Sequence, residues 1–454
     1  MSDLRRIRLN AVQTLVLGFA CLIVLGGVLL SLPISSRDGQ WLPFLDALFT
    51  AASASCVTGL VLYDTWTQFT LFGQAVILLL IQVGGLGFMT VSILFAFLMR
   101  RRIGLHQRAV LMDTVGALQV GGVVRLTRRA LLVTAACEGV GALVLMAWLC
   151  PRYGLARGIW MGLFHAVSAF CNAGFDLLGT GSSLTSIAGA VVPNVVLMSL
   201  LICGGLGFLV WDDVLTKGLH PRRWRLHSKI VITATAVLLV GGTAAFYFLE
   251  RDGAFSGVPE GQKVLMAAFQ SVTPRTAGFN TVDLMALSES ATLLTMMLMF
   301  VGAGSGSTGG GIKISRIIIM CKTAKQDLMR VLHPHAVTTV RFEGKPLTDR
   351  NLRGVHLFLT VYILVFTVSF LLLSLEQFDL VTTFTALAAC INNIGPGLEL
   401  VGPMGNFSAF SPWSKLLLSF NMLVGRLEIF PMLLLCAPSI WKRRLSNRTY
   451  KPAV

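Results

Sequence analysis

Long and short apolar runs alternate along this chain, and the alternation occurs four times. Each unit opens with an apolar stretch long enough for a bilayer, which needs about 20 helical residues. A second apolar stretch of only 12 to 14 residues follows, then a glycine-bearing loop, then another long apolar stretch. The pattern predicts helices over Ala11 to Leu32, Leu42 to Ser55 and Phe69 to Leu98 in the first unit. In the second it predicts Ala130 to Leu149, Arg157 to Phe170 and Ala190 to Leu215. The third gives Ile230 to Leu249, Gly261 to Val272 and an interrupted Thr292 to Met329. The fourth gives Val355 to Leu373, Phe378 to Ile391 and Lys415 to Ile440. A short segment of this kind must re-enter rather than span, and backbone leaving it is tolerated only where it is buried in protein or lines water.

The loops after the short segments look like blurred copies of one another. They contain Val57-Thr58-Gly59, Asn172-Ala173-Gly174, Thr276-Ala277-Gly278 and Asn393-Ile394-Gly395, with the glycines 115, 104 and 117 residues apart. The chain therefore reads as tandem repeats over 1–124, 125–228, 229–352 and 353–454. The predicted fold is an all-α polytopic membrane protein: eight spanning helices and four re-entrant pore helices arranged as helix, pore loop, helix around one central pore. A short helix that aims its C-terminal end at the axis favours a cation there. A glycine turn lets carbonyls replace the ion's hydration shell.

Composition agrees with the pattern: 55% of the 454 residues are hydrophobic and 13% charged. The net charge of +16 raises the question of nucleic acid, but the basic residues sit in short clusters between apolar runs, as the positive-inside rule expects, which argues against a nucleic-acid surface. Placing those clusters, and both termini, in the cytoplasm puts 29 of the 37 Lys and Arg inside. The loops then open outward, with Asp64, Asp176, Asp283 and Glu399 just beyond them as a cation-concentrating mouth. The nine cysteines are scattered and mostly within apolar runs, which predicts free thiols and neither zinc nor disulfides.

The interruption in the third unit spans 302–313, where six of the ten residues from Gly302 to Gly311 are glycine. A continuous helix there is penalised by roughly 6 kcal/mol relative to alanine, so a loop is expected, and its position below the pore loops makes it a candidate gate. Its residues are Gly302, Gly304, Ser305, Gly306, Ser307, Thr308, Gly309, Gly310, Gly311 and Lys313. The phosphate-loop pattern fails here, because Ile312 separates glycine from lysine and no strand precedes it. Arg426 lies in the fourth unit at the place held elsewhere by Gly84-Gly85, Gly204-Gly205 and Gly302. An intramembrane arginine must find carbonyls, water or another segment, as a gate or as a structural tie. Glu138, midway along a predicted helix, is expected to be hydrogen-bonded between helices.

The four loops together with Gly304-Ser305-Gly306-Ser307-Thr308-Gly309-Gly310-Gly311-Ile312-Lys313 resemble the bacterial Trk/Ktr potassium-uptake superfamily, over nearly the whole chain. The overall layout is most similar to KtrB-type membrane subunits, while Asn392-Asn393-Ile394-Gly395-Pro396-Gly397 resembles the TrkH type. The resemblance implies a four-loop potassium filter, with K+ as the transported ion, Na+ a second candidate and no organic cofactor. It also implies a homodimer and a cytosolic nucleotide-binding regulatory ring of the KtrA/TrkA kind, at the cytoplasmic membrane of a bacterium.

Two function classes follow. One is a gated, channel-like path for potassium uptake; the other is a secondary transporter coupled to sodium or protons. Inverted repeats would mark the second, whereas these four units run parallel. No nucleotide site or catalytic constellation is present in the sequence, so no enzyme is expected.

Overall fold

The computed structural model describes residues 11–87, 123–179, 181–218, 220–333, 341–342, 345–346, 349–395, 397–403, 405–429 and 432. In the first unit, α1 (Ala11–Ser31) leads to α2 (Phe44–Ser55), the one-turn α3 (Thr65–Gln68) and α4 (Leu71–Leu86). The second comprises α5 (Val123–Tyr153), α6 (Leu155–Phe170), α7 (Val191–Leu206) and α8 (Phe208–Lys217). Next come α9 (Leu226–Glu250), α10 (Glu260–Val272), α11 (Glu289–Phe300) and α12 (Ile314–Leu332). A two-residue hairpin, β1 (Arg341–Phe342) on β2 (Lys345–Pro346), precedes α13 (Asp349–Leu373), α14 (Leu380–Asn392) and α15 (Pro412–Arg426). Apart from that hairpin, the described regular elements are helical.

α1, α5, α9 and α13 are each long and apolar enough to cross a membrane. α7 and α8 make a fifth crossing if counted together. The expected second helices of the first and fourth units are not continuous: α4 ends at Leu86, before Gly87 at φ +83, and α15 ends at Arg426, before Glu428 and Ile429 at φ +60 and +62, while residues 88–98 and 433–440 lie outside the described residues. The basic cluster Lys442-Arg443-Arg444 near the C-terminus lies outside them as well.

The second unit departs from expectation in the same way. The second helix of the second unit is not continuous: α7 and α8 meet at 93° around Gly207. Gly207 has φ +90, a conformation that side chains disfavour. The Phe208 amide, released from the helix ladder by the bend, donates to the Gly306 carbonyl at 2.9 Å. The glycine-rich loop is therefore what the bend accommodates, a long-range cause that no local propensity reports.

Capping residues fix several starts. Asp64 caps α3 through the Thr67 amide, Ser288 caps α11, Asp379 caps α14 and Ser411 caps α15. In lipid, helices associate through close packing rather than through exclusion of water, and glycines supply it here. A Cβ on Gly84 would lie 1.9 Å from the Ser55 carbonyl oxygen, one on Gly204 2.0 Å from that of Phe170, and one on Gly425 2.1 Å from that of Ile391. In three units a glycine of the later helix thus presses on the carbonyl two residues before the left-handed residue of the loop. This register matches Gly425 with Gly84 and Gly204, and so places Arg426 level with Gly85 and Gly205.

The buried core lies at the junctions between units. One cluster joins α1, α2 and α4 to α5, α6 and α7 through residues such as Leu30, Ile77, Phe164 and Phe170. Another joins the first unit to the fourth through Phe49, Leu60, Leu387, Leu418 and Met422.

Candidate functional site

The C-terminal ends of α2, α6, α10 and α14 lead to one place. Each helix ends in a turn whose key residue, Val57, Asn172, Thr276 or Asn393, has positive φ: 58°, 60°, 76° and 51° respectively. In three turns the next amide reaches back five residues, Thr58 to Ser53 at 2.8 Å, Ala173 to Ser168 at 2.7 Å and Ile394 to Ala389 at 2.9 Å. This is the helix-terminating arrangement in which glycine is usual. Here non-glycine residues hold the left-handed position, and for β-branched Val57 and Thr276 that is a strained choice. Sequence reading centred on the glycines and missed this. The signal was the shared position two residues before each glycine.

Gly59, Gly174 and Gly278 also have positive φ, at 86°, 75° and 94°. Gly395 does not; what it requires is small size, since a Cβ there would lie 1.9 Å from the Gly278 Cα. The four glycines are crowded against one another in sequence order. A Cβ on Gly59 would meet the Ala173 carbonyl at 2.4 Å, one on Gly174 the Ala277 carbonyl at 2.5 Å, and one on Gly278 the Gly395 Cα at 2.5 Å. The ring closes through side chains: the Asn393 amide donates to Thr58 Oγ1 at 3.2 Å and to the Met422 carbonyl at 2.8 Å. Asn172 and Thr276 are likewise bonded at 3.2 Å.

All twelve residues in the four expected motifs are therefore brought together, and all twelve are buried. Among the described residues, the carbonyls of Val57, Thr58, Asn172, Ala173, Thr276, Ala277, Asn393 and Ile394 accept no hydrogen bond from the protein. Buried carbonyls are ordinarily paired, so eight free ones around a common ring form an oxygen-rich site suited to a desolvated cation.

On one side of the ring is a cavity of about 290 Å³, lined by Gly59, Gly174 and Gly278 together with Asp64 and Asp176. Of the four acids expected at the mouth, these two line it. Asp283 instead caps a turn through the Met285 amide, and Glu399 is exposed on a 3-10 turn. Burial, reinforced by the nearby Asp64 charge, pushes the Asp176 carboxyl up to about 6.

On the other side is the glycine-rich loop, which is ordered by specific contacts. The Gly302 amide donates to Ile312 at 3.0 Å, the Gly304 amide to Gly205 at 2.9 Å, and Thr308 Oγ1 to the Phe170 carbonyl at 3.2 Å. Ser305 Oγ bonds Ser315 Oγ at 2.9 Å, and Lys313 Nζ donates to the Gly309 carbonyl at 2.7 Å. Gly309 lies against the Thr276 hydroxyl and Gly310 against the Asn392 carbonyl, where Cβ atoms would sit 2.2 and 2.5 Å away. Ser307 Oγ is buried with no partner in the protein, while Gly306 and Gly311 take φ +67 and +69.

Arg426 finds the carbonyls it needs. Its guanidinium donates to Thr308 in the loop and to Gly84 and Gly85 at the end of α4, the last at 2.9 Å. Glu428 faces elsewhere and pairs with Arg316. Glu138 accepts from Gln82 at 3.1 Å and from the Cys171 thiol at 3.8 Å, a bridge between helices as expected. All eight described cysteines are free; Cys436 lies outside the described residues.

Comparison with known proteins identifies the family. The family TrkH, described as cation transport protein, matches residues 22–443. The potassium/sodium uptake protein NtpJ of Enterococcus hirae is 42% identical over 318 residues, covering 69% of each chain. The Ktr system potassium uptake protein B of Bacillus subtilis is 42% identical over 316 residues, 69% of this chain and 70% of that one. The Ktr system potassium uptake protein D of the same organism is 27% identical over 433 residues, 94% and 93% of the two chains. In fold, the potassium transporter TrkH from Vibrio parahaemolyticus superposes with a TM-score of 0.79 at 24% identity, over 97% of this chain and 88% of that one. This chain belongs to the TrkH family of cation transport proteins, as a membrane subunit of the Trk/Ktr type similar to KtrB.

Proposed function

We propose that this chain carries potassium ions into the cell through a gated, channel-like pore. The observation that carries the proposal is the ring of eight buried carbonyls free of protein donors around Gly59, Gly174, Gly278 and Gly395. Such oxygens replace the hydration shell of a hard monovalent cation. The C-terminal ends of four short helices directed at the ring add their negative dipole ends. Val57, Thr58, Gly59, Asn172, Ala173, Gly174, Thr276, Ala277, Gly278, Asn393, Ile394 and Gly395 form the selectivity filter. The cavity with Asp64 and Asp176 is its outer vestibule. Residues 302–313 and Arg426 form the gate beneath it. Relatives named as potassium uptake proteins support K+ as cargo, and the name of NtpJ, a potassium/sodium uptake protein, keeps Na+ as a second candidate.

In this reading the four units cross the membrane eight times with both termini in the cytoplasm. The subunit pairs as a homodimer in a bacterial cytoplasmic membrane and is regulated by a cytosolic nucleotide-binding ring, as the name Ktr system supports. The test is tracer uptake into proteoliposomes under an imposed potential, comparing potassium, rubidium and sodium with no other gradient. Uptake of potassium and rubidium over sodium is expected. Uptake that requires a sodium or proton gradient would replace the channel-like reading with a coupled transporter.

A further inference from the structure

Seven basic residues fall on the face that the proposed topology places outside. Lys263 and Lys415 have carboxylate partners, in Glu260 at 3.2 Å and Asp46 at 2.8 Å. Arg37 and Arg157 are arranged differently. Their guanidinium carbons lie 4.6 and 4.0 Å from the centroid of one indole, that of Trp66, so the two charges are no more than about 9 Å apart. Trp66 is itself held in place, with its ring against Gly179, where a Cβ would lie 2.5 Å away. Arg37 Nε donates to the Phe69 carbonyl at 3.2 Å. Arg157 Nε is buried with no acceptor in the protein, and the Tyr153 ring lies 5.1 Å from its guanidinium.

Two like charges sharing one ring repel each other, and the nearby carboxylates do not resolve this. Asp38 follows Arg37 in the chain, and Asp64 accepts from the Thr67 and Gly181 amides. Among the described residues neither acid comes within ion-pair distance of Arg37 or Arg157. The arrangement therefore calls for an anion from outside the chain, and a phosphate presents the oxygen fork that arginines favour.

The setting indicates which phosphate. α1 ends at Ser31 and α5 at Tyr153, and α4 and α6 begin at Leu71 and Leu155, so the cluster sits at the level where long helices leave the bilayer. Aromatic rings cluster here as in an interfacial belt: Tyr153 lies by Arg157, Trp148 under Arg152, and Trp160 donates to Gln74 in the first turn of α4 at 2.8 Å. Exposed apolar side chains flank the arginines, with Ile34, Leu71 and Leu155 each more than 60% exposed. We infer that Arg37, Trp66 and Arg157 bind the phosphate of an anionic phospholipid in the outer leaflet, its acyl chains lying on the adjoining apolar faces. The leaflet assignment rests on the topology under the potassium reading; the site itself does not.

The experiment measures thermal unfolding of the purified full chain in detergent with short-chain phosphatidylglycerol, short-chain phosphatidylcholine or inorganic phosphate. Native mass spectrometry counts retained lipid in parallel. Phosphatidylglycerol is expected to raise the Tm while phosphatidylcholine and inorganic phosphate do not. The Arg37→Gln/Arg157→Gln variant should lose that shift and retain at least about threefold less phosphatidylglycerol. Arg157→Lys, which keeps the charge, guards against a folding defect in the double variant and should retain part of the shift. An undiminished shift in the double variant, or an equal shift with inorganic phosphate, overturns the proposal. Because no ion flux is read, failure here leaves the potassium reading standing, and failed uptake leaves this site standing.

Discussion

Arg426, in the last turn of α15, donates a hydrogen bond to the carbonyl of Thr308 in the glycine-rich loop. The same guanidinium also holds Gly84 and Gly85, so one side chain of the fourth unit ties the loop of the third to the first. Arginine cannot lose its charge by titration, so this tie is released only by movement. Under the proposed function its charge also opposes a cation in a poorly screened passage.

Arg426→Ala should therefore raise potassium flux at a given potential, and deletion of Ser305 to Gly309 should do the same. If loop and arginine form one barrier, the combined variant gains little over either alone. A double-mutant cycle on proteoliposome flux measures this. Additive gains would separate the two, and loss of folding in Arg426→Ala would make the arginine a structural tie.

Gly278 combines φ +94 with a Cβ position 2.5 Å from the Gly395 Cα. Gly278→Ser should cost about 1–2 kcal/mol in backbone strain alone and displace the neighbouring loop. Discrimination of potassium over sodium should fall while expression persists. Equal selectivity ratios in variant and parent would remove Gly278 from the filter.

Asn393 and Thr58 close the ring between the fourth and first units across 335 positions of chain. Asn393→Ala should lower stability by about 1–3 kcal/mol, because it leaves buried partners unsatisfied. Combined with Thr58→Val, the coupling should be about 0.5–1.5 kcal/mol, read as non-additive shifts in thermal unfolding. Strict additivity would show that the contact does not hold the ring closed.

Asp176 should give uptake a pH dependence. Its carboxyl is raised to about 6 by burial and by Asp64, so it is neutral below that pH and ionised above it. Ionisation adds a negative charge to the vestibule and concentrates cations there. Uptake at sub-saturating potassium should therefore climb between about pH 5 and 7, and Asp176→Asn should flatten that climb. A profile unchanged by the substitution would assign the dependence to another group.

Much of this protein is legible in one dimension. Run length separates segments that can cross a bilayer from those that cannot, which located α2, α6, α10 and α14 to within a few residues. Glycine density made Gly302 to Gly311 a loop, since helix propensity is local. The common spacing of the four motifs predicts four similar units. Tertiary structure decided the rest, because it depends on which distant atoms meet. The left-handed position fell to Val57, Asn172, Thr276 and Asn393 through the way each helix end is terminated. Gly207 bends because a loop a hundred residues later takes the Phe208 amide. Only packing chose Asp64 and Asp176 for the cavity over Asp283 and Glu399, and only packing gave Arg426 its carbonyls. Patterning along a chain reports whether a residue is buried and how its own backbone runs; it does not report the partner.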